Sequence, residues 1–174
     1  ATLPKPAKLT RGHHKALKYS DLPAFVAELR ERPALAASAL ELAVLTATRT
    51  SEVLAATWGE FDLEAGLWTI PAERMKARRE HRVALSKRAL AIVSELAKAK
   101  TSDFVFPGQK PKKPLSNMAM LMLLDRMGRR GAITVHGFRS TFSDWASEVS
   151  PFPAELRETA LAHTIPNKAE AAYR

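Results

Sequence analysis

Cysteine is absent from the 174 residues. That absence removes disulfides, thiolate zinc sites, iron-sulfur clusters and cysteine nucleophiles, and it fits a reducing, cytoplasmic setting. Long hydrophobic runs are missing too. The most apolar stretch, Pro33 to Ala47, is interrupted by Glu41 and is too short to cross a bilayer, and no secretory signal is present. No glycine-rich phosphate loop occurs, so nucleotide hydrolysis has no seat, and neither HExxH nor another carboxylate and histidine cluster offers a site to a divalent metal. His13 and His14 have no third ligand nearby and read as solvated. Internal repeats are also lacking.

What remains is a chain able to fold. With 46% hydrophobic and 26% charged residues, global disorder is excluded. A domain of about 150 residues hides roughly 70% of its unfolded surface. The 27 Lys and Arg outnumber the 18 Asp and Glu, giving a net charge of +9 that points to a polyanionic partner. Charge alone also fits a soluble basic protein with no nucleic-acid role.

Residues 1–19 carry Lys5, Lys8, Arg11, Lys15 and Lys18 among prolines without an apolar period, which predicts a basic linker ahead of a folded unit over 20–174. Asp21 and Pro23 predict a helix start, with Leu22, Phe25, Val26 and Leu29 on one face. Ala34 to about Thr48 reads as a helix buried on most sides, and a short one follows from Ser51. Leu67 to Ile70 and His81 to Leu85 are strand-like runs around the charged segment Glu73 to Glu80, a hairpin with a basic tip. Ser86 caps a predicted helix with Leu90, Val93 and Leu96 inward. Ser116 caps another holding Met118, Leu121, Met122, Leu124 and Met127, whose methionine stripe reads as core. Thr134 caps the helix of His136, Arg139, Phe142, Trp145 and Val149; Pro153 opens the next, and Asn167 caps a last turn running into Tyr173. The fold class is mainly α with one small β-hairpin, α+β.

A domain of this composition that acts on phosphate must stabilise charge with arginine, lysine and histidine. His136 and Arg139, at i and i+3, share a helix face near its N-terminus, where anions are favoured, and a guanidinium can grip two oxygens. By itself HxxR also fits a surface basic pair. Arg49 ends an apolar helix with Glu52 placed to hold it, which alone fits a local ion pair. Lys76 at a hairpin tip, His163 after an apolar helix and Tyr173 have ordinary readings as a solvated lysine, a helix cap and a packed ring. An unassisted tyrosine hydroxyl, with a pKa of about 10, is a poor nucleophile.

The order of these residues is more specific than any one of them. Thr46-Ala47-Thr48-Arg49-Thr50-Ser51-Glu52-Val53-Leu54 is followed by Thr69-Ile70-Pro71-Ala72-Glu73-Arg74-Met75-Lys76, then His136-Gly137-Phe138-Arg139, then Ala162-His163 and Ala171-Ala172-Tyr173-Arg174. Over about Leu22 to Arg174 the chain resembles the catalytic domain of the tyrosine recombinases, the phage integrase family, and is most similar to prophage and genomic-island integrases.

The resemblance implies the tyrosine recombinase catalytic-domain fold and site-specific DNA recombination through a 3′-phosphotyrosyl intermediate, with no metal, ATP or other cofactor. Tyr173 would be the nucleophile. Arg49 and Arg139 would clamp the non-bridging oxygens, His136 and His163 would donate to them, and His136 would also accept the tyrosine proton. Lys76 would protonate the departing 5′ oxygen, and Glu52 would hold Arg49. Implied partners are double-stranded DNA attachment sites and further protomers in a tetrameric synaptic complex, with no membrane, in the bacterial cytoplasm at the nucleoid. Arg74, Arg78, Arg79, Lys112 and Lys113 read as DNA backbone contacts. The chain opens at Ala1 rather than Met and stops one residue past Tyr173, so it reads as an excised domain without the family's amino-terminal DNA-binding domains and C-terminal tail. The alternatives are a non-catalytic basic DNA-binding module, such as a decayed integrase, and type IB topoisomerase-like relaxation. Convergence of the cations on one anion-sized spot separates the catalytic readings from the binding module.

Overall fold

The structure, a computed structural model, describes residues 15–163. Its centre is α2 (Leu35–Thr46), where Ala37, Ala39, Leu40, Leu42 and Ala43 are all buried. A helix apolar on every side must be covered on every side. Around it pack α1 (Leu22–Arg30), α3 (Thr50–Leu54), α4 (Lys87–Lys98), α5 (Ala119–Arg126) and α6 (Gly137–Glu148), with α7 (Ala154–Ala160) against α6. Glu41, the one acid in this core helix, is bracketed by Arg30 at 2.7 Å and Arg88 at 2.9 Å. Burial alone would raise its pKa, but the hydrogen bonds from Arg88 and Arg30 prevail and hold it below the usual carboxylate value.

Strands β1 (Phe61–Asp62), β2 (Leu67–Ile70) and β3 (His81–Ala84) form an antiparallel sheet in that order. In the hairpin Trp68 faces Val83 and Ile70 faces His81. Trp68 and Ile70 point inward and are fully buried, so this register fixes the face. The predicted hairpin is present; β1, only two residues long, adds a strand that the sequence pattern does not suggest.

Local capping follows the predicted chemistry at Ser86 and Thr134, whereas Asp21 precedes α1 without a side-chain bond and Ser116 Oγ accepts from the Met118 amide ahead of α5. Ser86 Oγ accepts from the Ala89 amide and Thr134 Oγ1 from the Gly137 amide. Helix α5 departs from expectation in its facing. Met120, Leu123, Leu124 and Met127 are buried, while Met118, Leu121 and Met122 are exposed, so only part of the predicted stripe is core. The run Ala119-Met120-Leu121-Met122-Leu123-Leu124 is apolar all round, so its period names no face. Among the described residues no helix is long and apolar enough to cross a membrane.

Candidate active site

Two helix ends meet at one guanidinium. Helix α2 stops at Ala47, which adopts a left-handed conformation at φ 51°, and α7 stops before Ala162, left-handed at φ 49°. Left-handed geometry costs a non-glycine residue about 1 to 2 kcal/mol, so the surroundings must hold both turns. At the second, the Ala162 amide donates to the Thr159 carbonyl and the His163 amide to the Glu158 carbonyl, closing a Schellman motif. Arg139, buried in α6, donates through Nη1 to the Ala47 carbonyl and through Nη2 to the Leu161 carbonyl at 2.6 Å. The first turn leads to Arg49 and the second presents His163.

Arg139 Nη2 lies 3.4 Å from His163 Nε2, and His163 Nδ1 lies 2.7 Å from Glu158 Oε2. Glu158 is held below its ordinary pKa, first by the His163 hydrogen bond and, against burial, by Arg157. It therefore remains an acceptor for the Nδ1 proton and fixes how the ring is turned.

Arg49 is gripped by the buried Glu52: Oε1 accepts from its Nη1 at 2.8 Å, and Oε2 accepts from its backbone amide at 2.7 Å. One carboxylate thus starts α3 and aims the guanidinium. Burial, with the nearby Arg49 charge adding and Glu52 opposing, pushes Arg139 down to about 10, still a cation at neutral pH. The mutual repulsion of the two guanidinium groups, only partly offset by Glu52, favours an anion between them.

Lys76, exposed in the turn after a 3₁₀ segment (Ala72–Arg74), completes an open cleft of about 460 Å³ lined by Arg49, Lys76, Ala77, Glu158, Ala162 and His163. His136 stands exposed at the N-terminus of α6, one turn before Arg139. The structure therefore brings Arg49, Lys76, Arg139 and His163 together from four separate stretches. Tyr173 lies outside the described residues.

The five arginines and lysines read as backbone contacts divide. Arg78 and Arg79 are exposed on the hairpin turn, and Arg79 lines an adjoining cleft of about 280 Å³ with His81 and His163. Lys112 and Lys113 are exposed on a separate loop closed by the Pro107 and Pro114 bridge, and neither lines these clefts. Arg74 turns inward instead: it pairs with both carboxylate oxygens of Glu60 and donates to the Glu52 carbonyl. That corrects the expectation of a phosphate contact, because its charge is already satisfied and its reach ends at α3. Its role is to tie the Lys76 turn to the helix of Glu52.

Two residues here were not singled out from sequence. Glu158 sits five positions before His163, a spacing that closes only once the Schellman turn forms. His81 sits at the start of β3, and its ring donates to the Ala160 carbonyl. Burial depresses its pKa most; Glu52 opposes, the Arg139 and Arg49 charges add, and the Ala160 bond opposes.

The chain is similar to known integrases and recombinases. Prophage integrase IntZ of Escherichia coli strain K12 is 38% identical over 154 residues, covering 87% of this chain and 38% of that protein. Prophage integrase IntA of the same strain is 41% identical over 133 residues, covering 75% and 32%. The chain thus spans well under half the length of these relatives. The XerA recombinase crystal structure superposes with a TM-score of 0.71 at 14% identity, covering 94% of this chain and 61% of that one. A lambda integrase tetramer bound to a Holliday junction gives 0.64 at 15%, covering 90% and 48%. The fold is that of a tyrosine recombinase catalytic domain. A match to the model of the phage integrase family runs over residues 15–173, and on that span, together with these relatives, the chain belongs to the phage integrase family.

Proposed function

We propose that this chain carries out DNA strand transfer for site-specific recombination, with Tyr173 as the nucleophile. The observation that carries the reading is that Arg49, Lys76 and His163 line one open cleft, with the buried Arg139 directly behind His163. A non-catalytic binding module has no need of a buried, carbonyl-braced arginine beside a carboxylate-aimed one; its cations are served as well by a solvated surface.

In this reaction the Tyr173 hydroxyl oxygen attacks the scissile phosphorus, an O–P bond forms, and the P–O5′ bond breaks. His136 accepts the phenolic proton and Lys76 delivers one to the departing 5′ oxygen. As phosphorus becomes five-coordinate, negative charge gathers on the non-bridging oxygens, where Arg49 and Arg139 stand with His136 and His163. The phosphotyrosyl ester conserves the bond energy, so a 5′ hydroxyl from a second strand reverses the step without ATP. Side-chain cations supply the charge stabilisation, so the step runs without metal. The partners are duplex attachment sites and further protomers in a tetrameric synapse, which places the protein at the bacterial nucleoid. Arg78 and Arg79 beside the cleft, and Lys112 and Lys113 farther off, supply backbone contacts.

A library of nicked random-sequence duplexes tests the reading, because loss of the cleaved end traps the covalent adduct. The wild-type chain yields an adduct and Tyr173→Phe yields none. An adduct that survives that substitution refutes the assignment.

A further inference from the structure

Gly137, the first residue of α6, is not needed for an unusual backbone angle; it is needed for space. A Cβ there would lie 2.1 Å from the Lys15 carbonyl oxygen and 2.9 Å from its carbon, closer than a side chain tolerates. The chain entering the domain is pressed onto this helix and tied along it. The Lys15 carbonyl accepts from the Thr134 amide at 3.0 Å and from its hydroxyl at 3.4 Å, and the same hydroxyl accepts from the Gly137 amide. One turn on, the Thr141 hydroxyl lies 2.6 Å from the Leu17 carbonyl, to which it donates, and 3.2 Å from the Gly137 carbonyl of its own helix. In the last turn Glu148 accepts from the Tyr19 hydroxyl at 2.9 Å.

From these contacts we propose that residues 15–19 are a positioning strap for α6, so that the path of the chain entering the domain sets where His136 and Arg139 stand over the phosphate. The proposal rests on the phosphate-site reading above. Thr134, Gly137 and Thr141 touch no substrate and act through the helix. His136 lies between the first two, and Arg139 lies between the last two, so a shift of the strap reaches both. The Lys15 and Lys18 side chains are exposed on it, so a nucleic-acid backbone that engages them pulls directly on the catalytic helix. A displacement of about 1 Å at such a site can cost roughly 100-fold in rate, so a small movement suffices for control.

The test compares Thr141→Val, which keeps the shape but removes the hydroxyl, with Thr141→Ser, which keeps it, and with Gly137→Ala. Amide hydrogen exchange and adduct yield from the nicked duplex library are read together with affinity for the same DNA. In Thr141→Val and Gly137→Ala, exchange at the Thr134 amide accelerates while Leu40 and Leu42 in α2 stay protected. Adduct formation falls by up to about 100-fold in Gly137→Ala and less in Thr141→Val, with DNA affinity nearly unchanged. Thr141→Ser behaves as wild type. Unchanged exchange and adduct rate in Thr141→Val overturn the strap, as does acceleration spread evenly through α2, or a loss of affinity that matches the loss of adduct. Should Gly137→Ala not fold, the Thr141 pair decides. Should the wild-type chain give no adduct, the recombinase reading falls, and the exchange data still decide the strap.

Discussion

Arg139 and His163 meet edge to edge, Nη2 to Nε2 at 3.4 Å, and the far side of the imidazole is pinned to Glu158 at 2.7 Å. A carboxylate, an imidazole and a guanidinium thus stand in line, with the middle ring unable to turn while Nδ1 is held. Glu158→Ala frees the ring and lowers adduct formation by about tenfold or more, the scale of a lost orienting partner. Glu158→Gln keeps an acceptor for the Nδ1 proton and retains most of the rate. Equal losses in both variants would show that charge, not orientation, is what Glu158 supplies.

Stability falls on acidification in two steps. The folded state holds His81 below its ordinary value of 6.5, mainly by burial, so the unfolded chain binds a proton that the folded one does not. That contribution is lost as the pH drops from 6.5 toward the folded value. Glu41, held below 4.5 by Arg88 and Arg30 against its burial, contributes stability above that pH and loses it as the pH falls through its folded value. Thermal denaturation between about pH 7.5 and 2 follows both. His81→Asn removes the upper step and leaves the lower; an unchanged upper step assigns it to another group.

The facing of α5 gives a stability contrast. Met120 is fully buried and Met122 is 43% exposed, two positions apart on one helix. Met120→Ala therefore costs about 2 to 5 kcal/mol and Met122→Ala less than about 0.5 kcal/mol, read by urea denaturation. Similar costs would contradict this facing, and a larger cost at Met122 would restore the stripe that the sequence alone suggests.

That contrast marks where legibility ends. Ser86 and Thr134 are readable as caps because their partners lie within three residues, and the hairpin is readable because Trp68 and Ile70 alternate with their neighbours. The first six residues of α5 are apolar all round, so only its packing against α2 selects a face. Arg74 sits at a basic tip by sequence, yet Glu60 and the Glu52 carbonyl, reached only after folding, turn it inward. Arg49 with Glu52 is a local pair, visible in advance. The Ala47 and Leu161 carbonyls that brace Arg139, the Ala160 carbonyl on His81 and the Lys15 carbonyl above Gly137 belong to distant segments, and no periodicity announces them.

On the proposed reading, the converging cations neutralise charge on a single phosphate. It is tested by comparing Arg49→Ala with wild type on two linkages in a duplex recovered from the covalent adduct: the ordinary phosphodiester, and one in which a methyl group replaces a non-bridging oxygen and removes its charge. Arg49→Ala costs about 2 to 4 kcal/mol of transition-state stabilisation on the ordinary linkage, and most of that penalty disappears on the neutral one. A penalty of the same size on both linkages would contradict the account.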